Sequence, residues 1–465
     1  MDYIKQAAQI QQKHQQRRIA IKQKSFDTIA VHGIYDLDEA LKNQGSIIEP
    51  VYMTPAQAFR DSDELKHALA YEIPGWVYTR IHNPSLYYLE QTLSLLESYQ
   101  CPFDANACVT SSGMAAIMMV ADALLADTHD GNFISSSQIY GGSFQQFSVR
   151  QHEKNRQVRF VDADGDIEQW ENQIDDNTRF IYIEVPSNPS LSLCDIKALA
   201  SLSHKYHIPL VVDATLASPA LIRPLSLGAD IVIHSLSKII TASGVSIGGV
   251  VIARENLNAH YLDNTVKKDF ATYLKLLPGR DNGACLSPMQ AFQILTELRT
   301  LRARVDQLSH STMKVAQYLQ SHPAIDKVLY PGLTSHPQHA LAKDLFQLVD
   351  AQKYSDDHRP LHRYGNLVSF SIKGDDDTAA KLLDRLSLIF RATDLGRIKS
   401  VATIPAISTH QQQGEEGRTL AHIPTNLIRL SIGGEYYGDI IDDLDQAIAY
   451  AQDAQKSKNT SGLLI

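Results

Sequence analysis

Residues 229–238 read A-D-I-V-I-H-S-L-S-K, and the chain continues I-I-T-A-S-G-V-S-I-G-G-V-V-I-A to residue 253. The β-branched run Ile231 to Ile233 predicts a buried strand. His234, Ser235 and Ser237 form a polar step after it, and Lys238 closes the step. A glycine-bearing turn then leads into a second apolar strand. In an open α/β sheet, ligands collect in the crevice beyond the carboxyl ends of the strands. A lysine just past such an end is therefore placed for chemistry, and dry or cationic surroundings would strip its proton and make the amine a nucleophile. Taken alone, a solvated loop lysine is the plainer reading, because lysines are mostly exposed. The rest of the chain decides.

A second strand, I-P-L-V-V-D at 208–213, ends in Asp213 with A-T-L-A-S-P beyond. Asp213 and Lys238 thus cap two apolar strands 25 residues apart, room for the crossover that parallel neighbours need. A lone aspartate there commonly caps a helix; a lysine and an aspartate at one sheet edge form a sharper constellation. Upstream, N-A-C-V-T-S-S-G-M-A-A-I-M-M-V-A-D-A-L-L at 106–125 passes from a strand through a small-residue turn into a buried helix, leaving the amides of Gly113 and Met114 free to hold an anion. Tyr140 precedes a Gly-Gly pair, where backbone can approach a ligand closely. F-I-Y-I-E-V-P-S-N-P at 180–189 is another strand ending in a polar turn. In W-V-Y-T-R-I-H-N-P-S at 76–85, Tyr78 and Arg80 alternate along an extended piece and so share a side. They suit a phosphate or carboxylate, or equally a surface ion pair beside a packed ring. Asn83-Pro84 then opens a helix.

The 465 residues exceed what one hydrophobic core holds, roughly 250–300 residues. We divide them into an N-terminal arm (1–60), a large domain (61–288) and a smaller α+β domain (289–465), which opens with the amphipathic stretch S-P-M-Q-A-F-Q-I-L-T-E-L-R. Arg429 lies inside the apolar strand L-I-R-L-S-I, where it requires a partner: a structural ion pair or a substrate carboxylate. Asp375 to Asp377 read as a solvated turn and the polar last dozen residues as a frayed end. Hydrophobic content of 44%, charged content of 20% and a net charge of −9 describe an ordinary soluble protein and give no reason to invoke nucleic acid or membrane. There is no apolar signal core, and Cys101, Cys108, Cys194 and Cys285 form no C-x-x-C pair, so reduced thiols and a cytoplasmic location are expected. The histidines show no metal-ligand spacing.

Together these pieces resemble the Cys/Met-metabolism family of pyridoxal-phosphate enzymes, which includes cystathionine γ-synthase, cystathionine lyases, methionine γ-lyase and O-acetylhomoserine sulfhydrylase. The likeness runs from about Phe26 to about residue 450 and rests on Y-T-R-I-H-N-P-S, S-S-G-M-A-A-I, Y-G-G-S, E-V-P-S-N-P, V-V-D-A-T, A-D-I-V-I-H-S-L-S-K and L-I-R-L-S-I-G-G-E, in the family's order. It implies the α/β architecture of a fold-type I PLP-dependent transferase: a mostly parallel seven-stranded sheet flanked by helices, with a smaller α+β C-terminal domain. It also implies roles. Lys238 would carry pyridoxal 5'-phosphate as a Schiff base and move protons. Asp213 would pair with the ring nitrogen, which keeps the cofactor an electron sink. Tyr140 would stack on the ring. Gly113, Met114, Ser235 and Ser237 would hold the phosphate, with Tyr78 and Arg80 reaching it from a neighbouring subunit of a homodimer or homotetramer. Arg429 would grip the substrate carboxylate in a bidentate pair, and Asn188 and Ser400 would support the cofactor hydroxyl side and that carboxylate.

Within the family, I-S-T-H-Q-Q-Q-G-E-E at 407–416, I-K-S at 398–400 and S-S-S-Q-I-Y-G-G-S resemble the sulfhydrylases, whereas P-S-N-P is closer to the synthases and lyases. The chain departs from the family pattern at Ile239, at Thr241-Ala242-Ser243 and at Ala214. The expectation is γ-replacement on an O-acylhomoserine by sulfide or a thiol. The alternatives are a β- or γ-lyase and, further off, a cofactor-binding protein without turnover.

Overall fold

The structure, a computed structural model, describes residues 2–462 apart from 127, 129 and 357, with side chains followed to 456. Seven strands form the first sheet: β1 (Ala105–Thr110), β2 (Asn132–Ser136), β3 (Gln157–Val161), β4 (Thr178–Glu184), β5 (Leu210–Asp213), β6 (Ile231–Ser235) and β7 (Gly249–Arg254). Their order is β1-β7-β6-β5-β4-β2-β3. From β3 to β6 all neighbours are parallel; β7 runs antiparallel to both β6 and β1. The apolar strand runs lack polar alternation because both faces are covered. Val212 and Val232 enter one core cluster, while Val211, Ile231 and Ile233 enter the other. The 236–248 connection that carries Lys238 contains no helix, and it returns the chain as the antiparallel neighbour β7.

A second sheet has the order β10-β11-β12-β9-β8, built from β8 (Ile325–Leu329), β9 (Leu367–Ile372), β10 (Phe390–Arg391), β11 (Val401–Thr403) and β12 (Leu427–Ser431). Arg429 sits on its central strand, in register with Ser369 and Thr403. The amphipathic stretch after residue 287 forms two helices, Pro288–Leu298 and Leu301–Ser321. The first sixty residues are more than a loose arm: Phe26, Ile29 and Ala30 join the main core with Leu89, Leu93 and Leu96 of the helix Pro84–Glu97.

Two local expectations are corrected. Asp375 to Asp377 are solvated as expected but form a helix start rather than a turn: Asp375 accepts from the Thr378 N–H and caps the helix Asp376–Arg385, with Asp376 and Asp377 in its first turn, where negative charge suits the helix dipole. The polar terminus is helical as far as Gly462, and residues 463–465 lie outside the described residues. No helix among the described residues is long and apolar enough to cross a membrane.

Candidate active site

Because β4, β5 and β6 are parallel, their polar ends meet at one edge. Glu184 is the register partner of Asp213, which in turn pairs with Ile233, two residues before Ser235. That edge floors a cavity of about 380 Å³. Of the residues expected from sequence, Gly113, Met114, Tyr140, Asn188, Asp213, Ser235, Ser237, Lys238 and Arg429 all line it.

The anion-binding wall is built by close packing. Ser112 caps the helix Gly113–Leu124 by accepting from the Ala115 N–H, which leaves the Gly113 and Met114 amides unused by that cap. The helix start rests on β6 and β7. A Cβ on Gly249 would fall 2.2 Å from the Ser112 carbonyl oxygen, and one on Gly113 would fall 2.8 Å from Ser235 Cβ, so only glycines allow this approach. The Ser237 hydroxyl accepts from the Gly248 N–H at 3.0 Å, which fixes the lysine loop.

The floor is acidic. Asp213 Oδ1 accepts from the Thr215 hydroxyl at 2.5 Å and the Thr215 N–H at 3.0 Å, and Oδ2 accepts from Tyr182 at 3.3 Å. Burial pushes the Asp213 carboxyl above its ordinary value, against the pull of the Thr215 bonds and of His234. Glu184 accepts from the Tyr140 N–H at 2.7 Å and the Asn188 N–H at 2.8 Å. Burial, then repulsion from Asp213, drives its carboxyl well above the usual range. Behind the floor, His234 Nε2 lies 3.0 Å from Glu97 Oε2, both fully buried.

The roof comes from the second sheet. Arg429 reaches down from β12, donating from Nη1 to Asn188 Oδ1 at 3.1 Å and from Nη2 to the carbonyls of Thr393 and Asp394 at 2.9 Å each. Burial lowers its guanidinium to about 10. Lys238 Nζ donates to Asp394 Oδ1 at 2.7 Å. Burial pulls the Lys238 ammonium below the ordinary lysine value, although Asp394 opposes it. The lysine loop is stitched to its neighbours by Arg304, which donates to the Ile239 and Ile240 carbonyls, and by the Ile398 N–H, which donates to Ala242.

Three expected residues stand elsewhere. Ser400 is buried but does not line the cavity: its hydroxyl donates to Glu435 at 2.9 Å and accepts from the Gly433 N–H, so it has no free group for a ligand. Tyr78 and Arg80 do not line their own chain's cavity either. Instead of an extended run, Tyr78 makes one bridge to Ala56 and then opens a turn, its carbonyl accepting from the Ile81 N–H. The two side chains nevertheless lie together on the surface, the Arg80 guanidinium 5.5 Å from the Tyr78 ring. Sequence reading missed Thr215, Glu184, Asp394 and Arg397, all of them cavity-lining. The first two stand at quoted strand ends; the last two lie in an aperiodic loop that carries no such signal.

The family model for Cys/Met metabolism PLP-dependent enzymes matches residues 27–449. The chain belongs to this family. Its similarity to curated relatives is full-length. Sulfhydrylase FUB7 of Fusarium oxysporum f. sp. lycopersici is 34% identical, over 92% of this chain and 98% of that one. The L-methionine gamma-lyase of Fusobacterium nucleatum subsp. polymorphum is 33% identical, over 92% and 98%. Among solved structures, an O-acetylhomoserine (thiol)-lyase from Campylobacter jejuni superposes with a TM-score of 0.82 at 32% identity, over 92% of this chain and 100% of that one, and it contains N'-pyridoxyl-lysine-5'-monophosphate. The chain is therefore a PLP-dependent enzyme of sulfur amino-acid chemistry with the fold-type I architecture. Its cavity fits the family's cofactor: an amine, a buried carboxylate held by Thr215 and Tyr182, and a wall of hydroxyls and helix amides suited to a phosphate.

Proposed function

We propose that this enzyme replaces the γ-substituent of an O-acylhomoserine with sulfide or a thiol. The convergence of Lys238, Asp213 and Arg429 on one cavity supports the cofactor chemistry, and the likeness to Sulfhydrylase FUB7 at 34% identity favours replacement. The bound cofactor supplies an electron sink that makes the substrate's α-proton acidic. Lys238 is the amine placed to take that proton, and burial lowers its ammonium below the ordinary lysine value against the pull of Asp394. Asp213, fixed by the Thr215 hydroxyl, would face the ring nitrogen and keep it protonated. Glu184 fixes the backbone of both Tyr140 and Asn188, which sets the ring-stacking side chain against the carboxylate site. Gly113, Met114, Ser235 and Ser237 hold the phosphate, and Arg429 takes the α-carboxylate. Tyr78 and Arg80, exposed and away from their own cavity, serve a neighbouring subunit, so the working unit is at least a dimer. Residues 61–288 form the cofactor domain and 289–465 the smaller one. The free cysteines support a cytoplasmic location.

Likeness to an L-methionine gamma-lyase at 33% identity favours elimination as the second reading. Incubation with O-acetyl- and O-succinyl-L-homoserine plus sulfide, beside L-methionine and L-cystathionine with oxo-acid detection, separates the two. Homocysteine from the esters supports replacement; oxo acid from the thioethers without ester turnover refutes it.

A further inference from the structure

The motif I-S-T-H-Q-Q-Q-G-E-E at 407–416 has no place in the roles above, yet its His410 is fully buried behind two residues that have one. The main chain of His410 is fixed. Its N–H donates to the Pro405 carbonyl at 2.9 Å, and its carbonyl accepts from the Gln413 N–H at 3.3 Å. This segment presses on the chain that carries the stacking tyrosine. A Cβ on Gly141 would fall 2.3 Å from the Thr409 carbonyl oxygen and 3.3 Å from His410 Cδ2, so the imidazole and the peptide before it lie against the residue after Tyr140. A Cβ on Gly417 would fall 3.1 Å from Phe144 Cζ, so the contact continues onto the helix Gly141–Gln145.

The ring makes a second link. His410 Nδ1 lies 2.8 Å from the Thr409 hydroxyl. Nε2 is buried and turned to the main-chain carbonyls of Asn188 and Ile139, with a hydrogen bond of ordinary geometry to neither. Burial, with the nearby Arg429 guanidinium, holds the ring neutral down to about 4. A neutral imidazole carries one N–H; placed on Nε2 it points at both carbonyls, while Nδ1 accepts from Thr409. Glu184 meets the same two stretches from their other side, accepting from the N–H groups of Tyr140 and Asn188. The Ile139–Tyr140 peptide therefore has His410 at its carbonyl and Glu184 at its N–H, and Asn188 has the same pair at its own two main-chain groups. Asn188 in turn offers its side-chain oxygen to Arg429 at 3.1 Å.

We propose that His410 is a positioning residue: it holds the Ile139–Tyr140 peptide and the Asn188 main chain at one spacing, and so sets the ring of Tyr140 against Arg429. His410 does not line the cavity and acts only through those neighbours. A reacting geometry is kept by the packing behind the groups that touch the ligand, and a small misplacement there costs rate out of proportion to stability. Removal of the α-proton precedes both replacement and elimination, so this role stands under either reading of the reaction.

The test compares wild-type holoenzyme with His410→Phe, which keeps a ring and removes the N–H, and with His410→Gln, whose amide NH2 reaches the place of Nε2. Three quantities are read on each preparation: exchange of the α-proton of L-methionine in deuterated buffer, circular dichroism of the bound cofactor, which reports the tilt of its ring in the chiral site, and the thermal melt. In His410→Phe, exchange is expected to slow about tenfold, and the cofactor ellipticity to fall at unchanged cofactor content and an unchanged melt. His410→Gln is expected to return both to within about threefold of wild type. Exchange within about threefold of wild type in His410→Phe, with unaltered ellipticity, overturns the proposal. Where His410→Phe does not fold, His410→Gln is set against His410→Asn, whose amide reaches only the place of Nδ1. Faster exchange in the Gln variant supports the proposal, and equal exchange overturns it. Loss of exchange that follows loss of the melt in every variant assigns His410 to stability alone and overturns it as well.

Discussion

Replacing Asp213 by Asn separates its chemical role from its structural one. The Asn amide oxygen can still accept from the Thr215 hydroxyl and N–H, which now approach Oδ1 at 2.5 and 3.0 Å, and the amide NH2 can donate to Tyr182 in place of the bond at 3.3 Å. Three contacts survive, and a buried carboxyl whose burial already raises its pKa is removed. Stability is therefore expected to change by less than about 1 kcal/mol, the scale of one ordinary hydrogen bond. Chemistry fares differently. A charged partner for the ring nitrogen is worth about 1.5–3 kcal/mol, so its loss slows α-proton removal by about 10- to 150-fold. The assay is exchange of the substrate α-proton in deuterated buffer, followed by NMR, beside a thermal melt of the same preparation. Glu184 supplies an internal control. Without the neighbouring carboxylate its carboxyl loses one of the two causes that raise it, so its pKa falls. Exchange at the wild-type rate with an unchanged melt would refute the assignment of Asp213.

Lys238→Ala is expected to abolish exchange and the borohydride-trapped cofactor adduct detected by mass spectrometry; an adduct at another lysine contradicts the assignment. Glu97→Ala leaves the buried His234 Nε2 without its hydrogen-bond partner, which costs about 1–3 kcal/mol, read by urea unfolding. His410 is held to about 4 by burial, with Arg429 adding to it, against an ordinary 6.5. Its folded value lies below its unfolded one, so the unfolded chain binds more protons between those values and stability falls as pH drops from about 6.5 toward 4. His410→Asn is expected to flatten that slope by an amount approaching about 3 kcal/mol over the full range, measured by denaturant titration at pH 7 and pH 5; parallel slopes contradict it.

The part of the site built by strand ends was legible, because strands covered on both faces announce themselves as apolar runs and the residue after each run is where a ligand meets the sheet. Lys238, Asp213 and the Ser112–Gly113 turn all came from that rule. Glu184 ends a run in the same way, but its tie to Tyr140 depends on β4 lying next to β2, and strand order is not a local property. Asp394 and Arg397 were invisible for a stronger reason. Their loop has no period, and it meets Lys238 only because the second sheet packs against the first. Ser400 shows the converse. Its motif matched, while its hydroxyl is consumed by Glu435.

Arg429 has a consequence for how tightly any amino acid can bind. Three of its five N–H groups already donate, one to Asn188 and two to carbonyls of the 393–394 loop. An arriving carboxylate either takes the remaining N–H groups or competes with those acceptors, and in the second case affinity reports a difference between two bonded states. Where it displaces Asn188, the exchange loosens a strut between the sheets, which makes ligand entry a mechanical event as well as an electrostatic one.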